Sequence, residues 1–287
     1  MDLAIWVDGR LHGPDDAVLT AVDHGLTVGD GVFETCAVRH GRAFALTRHL
    51  RRLERSAQGL GLPPLPLDDV REGVRAALGA AGDHAGRLRI TVTGGPGPMG
   101  SHRLPADEQR ATVVVVAGPA TTQDLSRAVR VPWVRNERSP LAGLKTTSYA
   151  ENVVAYARAR QAGADEALLA DTRGRLCEGT GSNVFVEAGG ELLTPSLETG
   201  CLAGITRELL LEWATEAGLP VRGAAPDELA WEVLDDVVAG RAHLALTGSI
   251  RNVTPVVRLD DADVAAGPLS LAAQRLFLAR LDDDLDP

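Results

Sequence analysis

A single lysine, Lys145, stands out among the residues of this chain that could do chemistry. The 287-residue sequence has 29 lysines and arginines together, and Lys145 is its one lysine, which leaves 28 arginines. The two residue types are nearly equivalent on a solvated surface, but only the lysine amine can lose its proton and attack a carbonyl. A single lysine codon that survived by chance would give the same composition. The pattern nevertheless favours a chemical role for the amine at position 145.

The surroundings of Lys145 suit such a role. The lysine lies in SPLAGLKTTSYAENVVAYARA, where an irregular segment meets a helix that we predict over residues 149–161. An amine that forms a Schiff base must be partly desolvated and yet open to its carbonyl partner. The boundary of an element meets both conditions better than the middle of a helix.

A carboxylate that could complement this amine follows about thirty residues later, in LCEGTGSNVF (176–185). Glu178 follows a predicted strand and precedes Gly179 and Gly181. Pyridoxal chemistry needs an acid against the ring nitrogen, because the protonated ring is the electron sink. By itself, a glutamate before glycines indicates only a turn.

Two segments have the composition of anion sites, and an arginine elsewhere in the chain could assist them. Gly204-Ile205-Thr206 begins a predicted helix, where unpaired N–H groups attract phosphate. LTGS (246–249) ends a predicted strand with hydroxyls and a glycine. Arg52, in TRHLRRLERS, lies on a helix from which a guanidinium could reach the same anion. Each signal is weak when taken alone.

Taken together and in order, these segments resemble the class IV aminotransferases, which include branched-chain aminotransferases, D-amino-acid aminotransferases and aminodeoxychorismate lyases. The resemblance runs along nearly the whole chain, through GDGVFET (29–35), HLRRL (49–53), the Lys145 segment, DEALLAD (165–171), EGTGSNVF (178–185), LTP (193–195), GITR (204–207) and TGSIRNVTPV (247–256).

The resemblance implies pyridoxal 5'-phosphate as the cofactor, with Lys145 as Schiff-base lysine and catalytic base. It implies Glu178 at the pyridine nitrogen and Tyr149 at the cofactor hydroxyl. The remaining residues that it places around the cofactor and its phosphate are Arg52, Asn183, Ile205, Thr206, Gly248 and Ser249. No set of histidines and cysteines has the spacing of a metal site.

The fold implied is a two-domain α/β (α+β) structure of fold type IV. We predict a small N-terminal α+β domain over residues 1–117, a linker over 118–126 and a larger C-terminal pseudo-barrel domain over 127–287. The family places the cofactor between its domains and completes the site in a homodimer. Local patterns predict hairpins at Asp8-Gly9, His40-Gly41 and Gly189-Gly190, and Thr47 as the cap of the helix that carries Arg52.

The residues expected at the substrate pocket do not fully match those of any one subfamily. The D-amino-acid enzymes carry an Arg-x-His carboxylate trap where this chain has Met99 and Ser101, and their tyrosine is Phe33 here. Branched-chain enzymes place an arginine where Arg89 stands. For a substrate carboxylate we therefore consider three arginines, Arg89, Arg103 and Arg251, and favour Arg89 because it alternates with Leu88 and Ile90 on a strand.

These features predict a transaminase that moves the amino group of D-amino acids or related primary amines to a 2-oxo acid. Aminodeoxychorismate lyase, which releases pyruvate and 4-aminobenzoate, is the main alternative, because the Lys145 segment most resembles proteins of that kind. A branched-chain L-amino acid aminotransferase and a non-catalytic module that binds a phosphorylated ligand remain further alternatives.

Composition narrows the remaining possibilities. The formal net charge of −10 disfavours non-specific binding to the phosphates of nucleic acid. We find neither an apolar run of membrane-spanning length nor a basic, apolar N-terminus like that of a signal peptide. The three scattered cysteines do not suggest a disulfide framework, so we expect a cytoplasmic enzyme with small-molecule substrates.

Overall fold

A computed structural model describes residues 3–287, which divide into two units. The first unit contains the segments up to Thr121, Leu144–Tyr149 and Asp284–Pro287. The second unit contains Thr122–Gly143 and Ala150–Asp283. The division at Thr121 falls within the stretch predicted as a linker. The predicted boundaries, however, assign residues 144–149 to the second domain, whereas their contacts lie with the first unit.

Within the described residues, the first unit forms a six-stranded antiparallel sheet with three helices. Its elements are β1 (Ala4–Val7), β2 (Arg10–His12), α1 (His24–Thr27), β3 (Gly31–Arg39), β4 (Arg42–Ala43), α2 (Leu46–Leu60), α3 (Leu67–Ala81), β5 (Arg87–Thr93) and β6 (Thr112–Gly118). The strand order is β2-β1-β6-β5-β3-β4. One face of this sheet packs with α2 and α3 around a buried apolar core that includes Trp6, Leu53 and Ile90.

The second unit is built on a mixed sheet. Its elements are β7 (Ser126–Arg135), α4 (Ala150–Gln161), β8 (Glu166–Asp171), β9 (Leu176–Gly179), β10 (Asn183–Ala188), β11 (Glu191–Thr194), α5 (Ile205–Glu216), β12 (Val221–Gly223), α6 (Val233–Val238), β13 (His243–Gly248), β14 (Asn252–Leu259), β15 (Ala262–Asp263) and α7 (Pro268–Arg280). The main strand order is β12-β11-β10-β13-β14-β7-β8-β9. The sheet curls into a half-barrel, so the predicted fold class is confirmed.

All three predicted hairpins are present, because each depends on a local turn whose residues accept a positive φ. The prediction of Thr47 as a helix cap is wrong. The helix α2 begins at Leu46, after Ala45 in the left-handed region (φ 53°). The Asp286 carboxylate, far away in sequence, accepts a hydrogen bond from the Thr47 N–H at 2.7 Å.

Two features are absent from residues 3–287. No helix there combines the length and apolar character needed to cross a bilayer. No group of three or more histidine, cysteine and acidic side chains there is arranged to hold a metal ion.

Candidate active site

The backbone of the Lys145 segment pairs with the start of β3. Phe33 N–H donates to the Lys145 carbonyl at 3.0 Å, and Thr147 N–H donates to the Gly31 carbonyl at 2.8 Å. The strand β4 covers only the far end of β3, so this edge of the strand is available for the pairing. Lys145 N–H also donates to Ser56 Oγ on α2 at 3.1 Å. These bonds explain why residues 144–149 belong to the first unit.

The pairing determines which way the Lys145 side chain points. Side chains alternate between the faces of paired strands. Thr146 pairs with Val32 and is buried, so its neighbour Lys145 lies on the opposite face with Phe33. Lys145 Nζ is 4.4 Å from the centre of the Phe33 ring. The Tyr149 ring meets Phe33 edge-on, with ring centres 5.2 Å apart. The amine thus lies beside this pair of aromatic rings, 5.9 Å from the centre of the Tyr149 ring.

Arg89, on β5, approaches the same aromatic ring. Its guanidinium carbon lies 3.8 Å from the centre of the Phe33 ring, and Nε donates to Thr91 Oγ1 at 3.3 Å. The residue is exposed, but its guanidinium packs on the face of the Phe33 ring, which partly desolvates the charged group. This desolvation lowers the pKa of Arg89, with Tyr149 opposing the shift and the charge of Arg87 adding to it. Arg89 makes no ion pair with an acidic residue in the described part of the first unit.

A buried charged cluster lies on the other face of β3. The Glu34 carboxylate accepts hydrogen bonds from Arg52 Nε and Nη2, each at 2.7 Å, and lies 2.7 Å from His49 Nδ1. Burial alone would raise the pKa of Glu34, but Arg52 and His49 hold it well below its usual value. Burial lowers the pKa of His49; Glu34 opposes this shift, whereas Arg52 and Lys145 reinforce it. The predicted phosphate ligand Arg52 therefore has its orientation set by Glu34.

Arg103, the second candidate for a substrate carboxylate, is held by neighbouring groups of the first unit. Its Nε and Nη2 donate to the two Asp30 carboxylate oxygens at 2.7 and 2.6 Å. The same guanidinium donates to the Leu60 and Gly61 carbonyls at the end of α2. These partners neutralise its charge and use its donors.

Glu178 lies within β9 of the second unit, rather than after a strand as predicted. Its Oε2 accepts a hydrogen bond from Leu202 N–H at 2.9 Å, and Arg135 Nε is 3.2 Å from its Oε1. The Arg135 contact is an ion pair without hydrogen-bond geometry. The carboxylate is thus held at the rim of the sheet by a backbone donor and a positive charge, and the sequence had not indicated Arg135.

The predicted phosphate segments converge within the second unit. Helix α5 begins at Ile205, as predicted, with Gly204 as its N-cap residue. A methyl group on Gly204 would lie 1.9 Å from Asn183 Oδ1, so the backbone approaches Asn183 very closely. Asn183 pairs across the sheet with Thr247, the residue before Gly248 and Ser249. The first N–H groups of α5 thus lie beside the end of β13.

Thr247 supports the presence of an anion at this place. Its Oγ is buried and has no hydrogen-bond partner among the described residues. A buried hydroxyl without an acceptor is rare in proteins and costs free energy. Together with the helix N-terminus, this donor suits the phosphate group of pyridoxal phosphate, so the residues present fit that cofactor. Thr247 was not predicted from the sequence, although LTGS contains it.

Arg251, the third candidate for a substrate carboxylate, is also neutralised by the protein. Its Nη1 donates to Asp165 Oδ1 at 2.9 Å and to Ser126 Oγ, and its Nη2 lies 3.7 Å from Glu166 Oε2. The charge of Arg251 is therefore balanced by two neighbouring carboxylates. Of the three candidate arginines, Arg89 alone lacks an ion pair within its own unit, as far as the described residues show.

Comparison with known proteins identifies the family. A family model described as Amino-transferase class IV matches residues 31–259. The chain is 31% identical over 263 residues to a putative branched-chain-amino-acid aminotransferase of Methanocaldococcus jannaschii, covering 90% of this chain and 88% of that protein. It is 28% identical to the aminodeoxychorismate lyase of Bacillus subtilis, covering 95% and 93% of the two chains. It is 25% identical to the D-alanine aminotransferase of Listeria monocytogenes, covering 97% and 96%.

Solved structures give the same result. A PLP-bound hypothetical aminotransferase from Mycobacterium tuberculosis superimposes with a TM-score of 0.83 at 28% identity, covering 98% of this chain and 99% of that one. The 4-amino-4-deoxychorismate lyase from Pseudomonas aeruginosa has a TM-score of 0.78 at 31% identity, covering 99% and 100%. The chain therefore belongs to the class IV aminotransferases, the family whose cofactor is pyridoxal phosphate.

Proposed function

We propose that this protein is a transaminase that moves the amino group of D-amino acids or related primary amines to a 2-oxo acid. The observation that carries the proposal is the placement of the Lys145 amine and the Arg89 guanidinium on one aromatic ring, that of Phe33. An amine that moves protons and a cation that binds carboxylates are the two groups that such a reaction needs beside the substrate.

Lys145 is the residue that moves the proton. When bound, pyridoxal phosphate supplies a ring that accepts the electron pair released at the substrate α-carbon. Lys145 Nζ takes the proton from that carbon and can return one during transfer. Phe33 and Tyr149 hold Nζ in place and shield it from water. The backbone bonds from Lys145 to β3 and α2 limit its movement, so the amine meets the substrate in a fixed position.

We assign the residues that hold the cofactor by their chemistry. Glu178 supplies the negative charge for the ring nitrogen, and Tyr149 supplies a hydroxyl. For the phosphate we propose a cradle of donors in the second unit. From the family resemblance we also assign to it the guanidinium of Arg52 in the first unit, whose orientation Glu34 sets. The cradle residues are Asn183, Ile205, Thr206, Thr247, Gly248 and Ser249.

Arg89 replaces the carboxylate trap of the D-amino-acid enzymes. The positions of that trap are Met99 and Ser101 here, and the Met99 side chain is 93% exposed. Neither side chain can balance a carboxylate, whereas the Arg89 guanidinium can bind one with two parallel hydrogen bonds. The branched-chain enzymes have an arginine at the same position, so Arg89 supports a substrate with a carboxylate, and the choice between D-amino acids and branched-chain L-amino acids is left to the substrate panel.

A substrate panel tests this function. The holoenzyme is mixed with D- and L-amino acids, including D-alanine and L-leucine, with 2-oxoglutarate as acceptor, and half-reaction spectra and oxo-acid products are followed. We expect D-alanine to yield pyruvate. No turnover with any D- or L-amino acid would exclude a transaminase, and turnover of L-leucine alone would instead support the branched-chain alternative.

The Arg89→Gln variant tests the carboxylate site. Loss of a charged hydrogen-bond partner costs about 1.5–3 kcal/mol, so kcat/KM for D-alanine should fall by about tenfold to a hundredfold. Arg71→Gln, which removes the same charge from the exposed side of α3, serves as the control and should leave kcat/KM unchanged. Equal kcat/KM values for Arg89→Gln and the wild type would show that the carboxylate binds elsewhere.

Aminodeoxychorismate lyase activity is a second candidate, favoured by one comparison. The lyase from Pseudomonas aeruginosa shares 31% identity over 99% of this chain. The same Lys145 amine would remove the α-proton there, with release of pyruvate and 4-aminobenzoate. Rapid formation of 4-aminobenzoate from aminodeoxychorismate, together with negligible amino transfer, would establish the lyase in place of the transaminase.

A further inference from the structure

A buried carboxylate, that of Glu166 at the start of β8, organises the turn that follows Glu178. It accepts hydrogen bonds from Thr180 N–H at 2.8 Å, Gly181 N–H at 3.3 Å and Ser182 Oγ at 2.8 Å. The Thr180 hydroxyl also donates to it. Every residue of the 180–182 turn therefore donates to this one side chain, whose residue is only 2% exposed.

The turn links the two ends of the proposed cofactor site. On its N-terminal side is Glu178, the acid proposed for the ring nitrogen. On its C-terminal side is Asn183, which is part of the phosphate cradle and pairs with Thr247. A shift of the turn would therefore move the acid and the cradle relative to each other.

Glu166 is also connected to the second turn of the cradle. Arg251, two residues after Ser249, has Nη2 at 3.7 Å from Glu166 Oε2 and is anchored by Asp165. A methyl group on Gly248 would lie 3.3 Å from the Gly181 carbonyl oxygen, so the two turns pack closely. Glu166 thus contacts the 180–182 turn directly and, through the charge of Arg251, also contacts the turn that follows β13.

We propose that Glu166 is a positioning residue that sets the spacing between Glu178 and the phosphate cradle. This inference rests on the proposed assignment of those residues to the two ends of pyridoxal phosphate. A ligand held at two ends binds tightly only when the spacing between them matches, because the second contact then forms without further ordering of the chain. Glu166 itself touches neither end of the ligand and acts through the turns.

The Glu166→Gln variant tests the proposal through binding rather than turnover. The amide keeps the size of the side chain but removes its charge and turns one acceptor into a donor facing N–H and O–H groups. Apo protein is titrated with pyridoxal phosphate and, separately, with inorganic phosphate. We expect pyridoxal phosphate to bind about tenfold more weakly or worse, while the affinity for inorganic phosphate stays within about twofold.

Glu187→Gln is the matched control. Glu187 is another buried glutamate of the second unit, and its carboxylate accepts hydrogen bonds from Leu269 N–H, Ser270 N–H and Ser270 Oγ at 2.9–3.1 Å. We expect both replacements to lower thermal stability, because each removes a buried charge that accepts several hydrogen bonds. Glu187→Gln should nevertheless leave the affinities for pyridoxal phosphate and for inorganic phosphate unchanged. If Glu166→Gln does not fold, Glu166→Asp, which keeps the charge on a shorter side chain, is titrated in its place with the same expectation.

Three results would overturn the proposal. The first is wild-type affinity for pyridoxal phosphate in the Glu166 variant. The second is an equal loss in the Glu187 variant, which would indicate general destabilisation. The third is an equal loss for inorganic phosphate, which would restrict Glu166 to the phosphate end. Because all these readouts are binding constants, failure of the proposed amino transfer would appear separately, in the substrate panel.

Discussion

Replacement of Gly204 by alanine should weaken cofactor binding, because the glycine lies where α5 begins and Asn183 leaves no room for a side chain. The added methyl carbon would lie 1.9 Å from Asn183 Oδ1, well inside the 3.4 Å at which ordinary contacts begin. Asn183 is buried, and its amide donates to the Leu202 carbonyl at 2.7 Å, so it cannot swing away without losing that bond. The first turn of α5 or Asn183 must therefore move by more than 1 Å.

The size of the effect follows from the cost of overpacking. A side chain forced into a filled site costs about 1–3 kcal/mol. If the movement displaces the N–H groups that bind phosphate, this cost corresponds to roughly a fivefold to hundredfold weaker affinity for pyridoxal phosphate. The affinity for inorganic phosphate should fall in parallel, because the change affects the phosphate end alone.

The assay is titration of apo protein with each ligand, followed by fluorescence or absorption. Gly79→Ala is the control, since an added methyl group there has no atom within 4 Å, and alanine favours a helix over glycine. The control should bind both ligands like the wild type and be equally stable or slightly more stable. A folded Gly204→Ala protein with wild-type affinity for both ligands would refute the assignment of the α5 N-terminus to the phosphate.

Three further predictions concern the first unit. Lys145→Ala should abolish turnover and the borohydride-sensitive visible absorption band of the holoenzyme; colour and activity that survive would remove the basis for the proposed function. Glu34→Gln should lower the free energy of unfolding at pH 7 by about 3 kcal/mol, because it leaves Arg52 without its partner. The folded-state pKa of Glu34 lies below its unfolded value of 4.5, so wild-type stability from this group is present above pH 4.5 and is lost below it. In urea titrations the difference between the two proteins should therefore narrow as the pH falls below 4.5, and a constant difference would contradict the ion pair. Arg103→Gln should lower the melting temperature through loss of its bonds to Asp30 and α2 but leave KM for D-alanine unchanged; a raised KM would restore Arg103 as a substrate ligand.

The parts of the fold that could be predicted were those that depend on neighbours in sequence. The hairpin at Gly189-Gly190 and the start of α5 at Ile205 follow from local turn and helix signals. The short strand β12 and the short helix α6 were not predicted, because elements of a few residues have too little periodicity to be recognised. The cap of α2 was misassigned because its partner, Asp286, is nearly the whole chain away.

The candidate site also has features that could be predicted from the sequence and features that could not. The chemical type of each residue could be interpreted from the sequence, and the lone lysine with its ordered motifs led to the family that the comparisons establish. The position of the Lys145 amine could not be predicted, because it depends on pairing between residues 145–147 and the edge of β3. Thr247 was overlooked, since a hydroxyl attracts attention only when it is known to be buried without a partner.

By itself, the sequence determined what kinds of chemical groups this protein has: one amine, an acid among glycines and a set of anion-binding segments. The tertiary structure alone decided which of the three candidate arginines have their charge balanced by the protein. Arg103 and Arg251 are neutralised by Asp30 and Asp165, more than seventy residues away along the chain, whereas Arg89 lies against Phe33 without such a partner in its unit. Charge is a property of the residue type, but its availability depends on neighbours that only folding brings together.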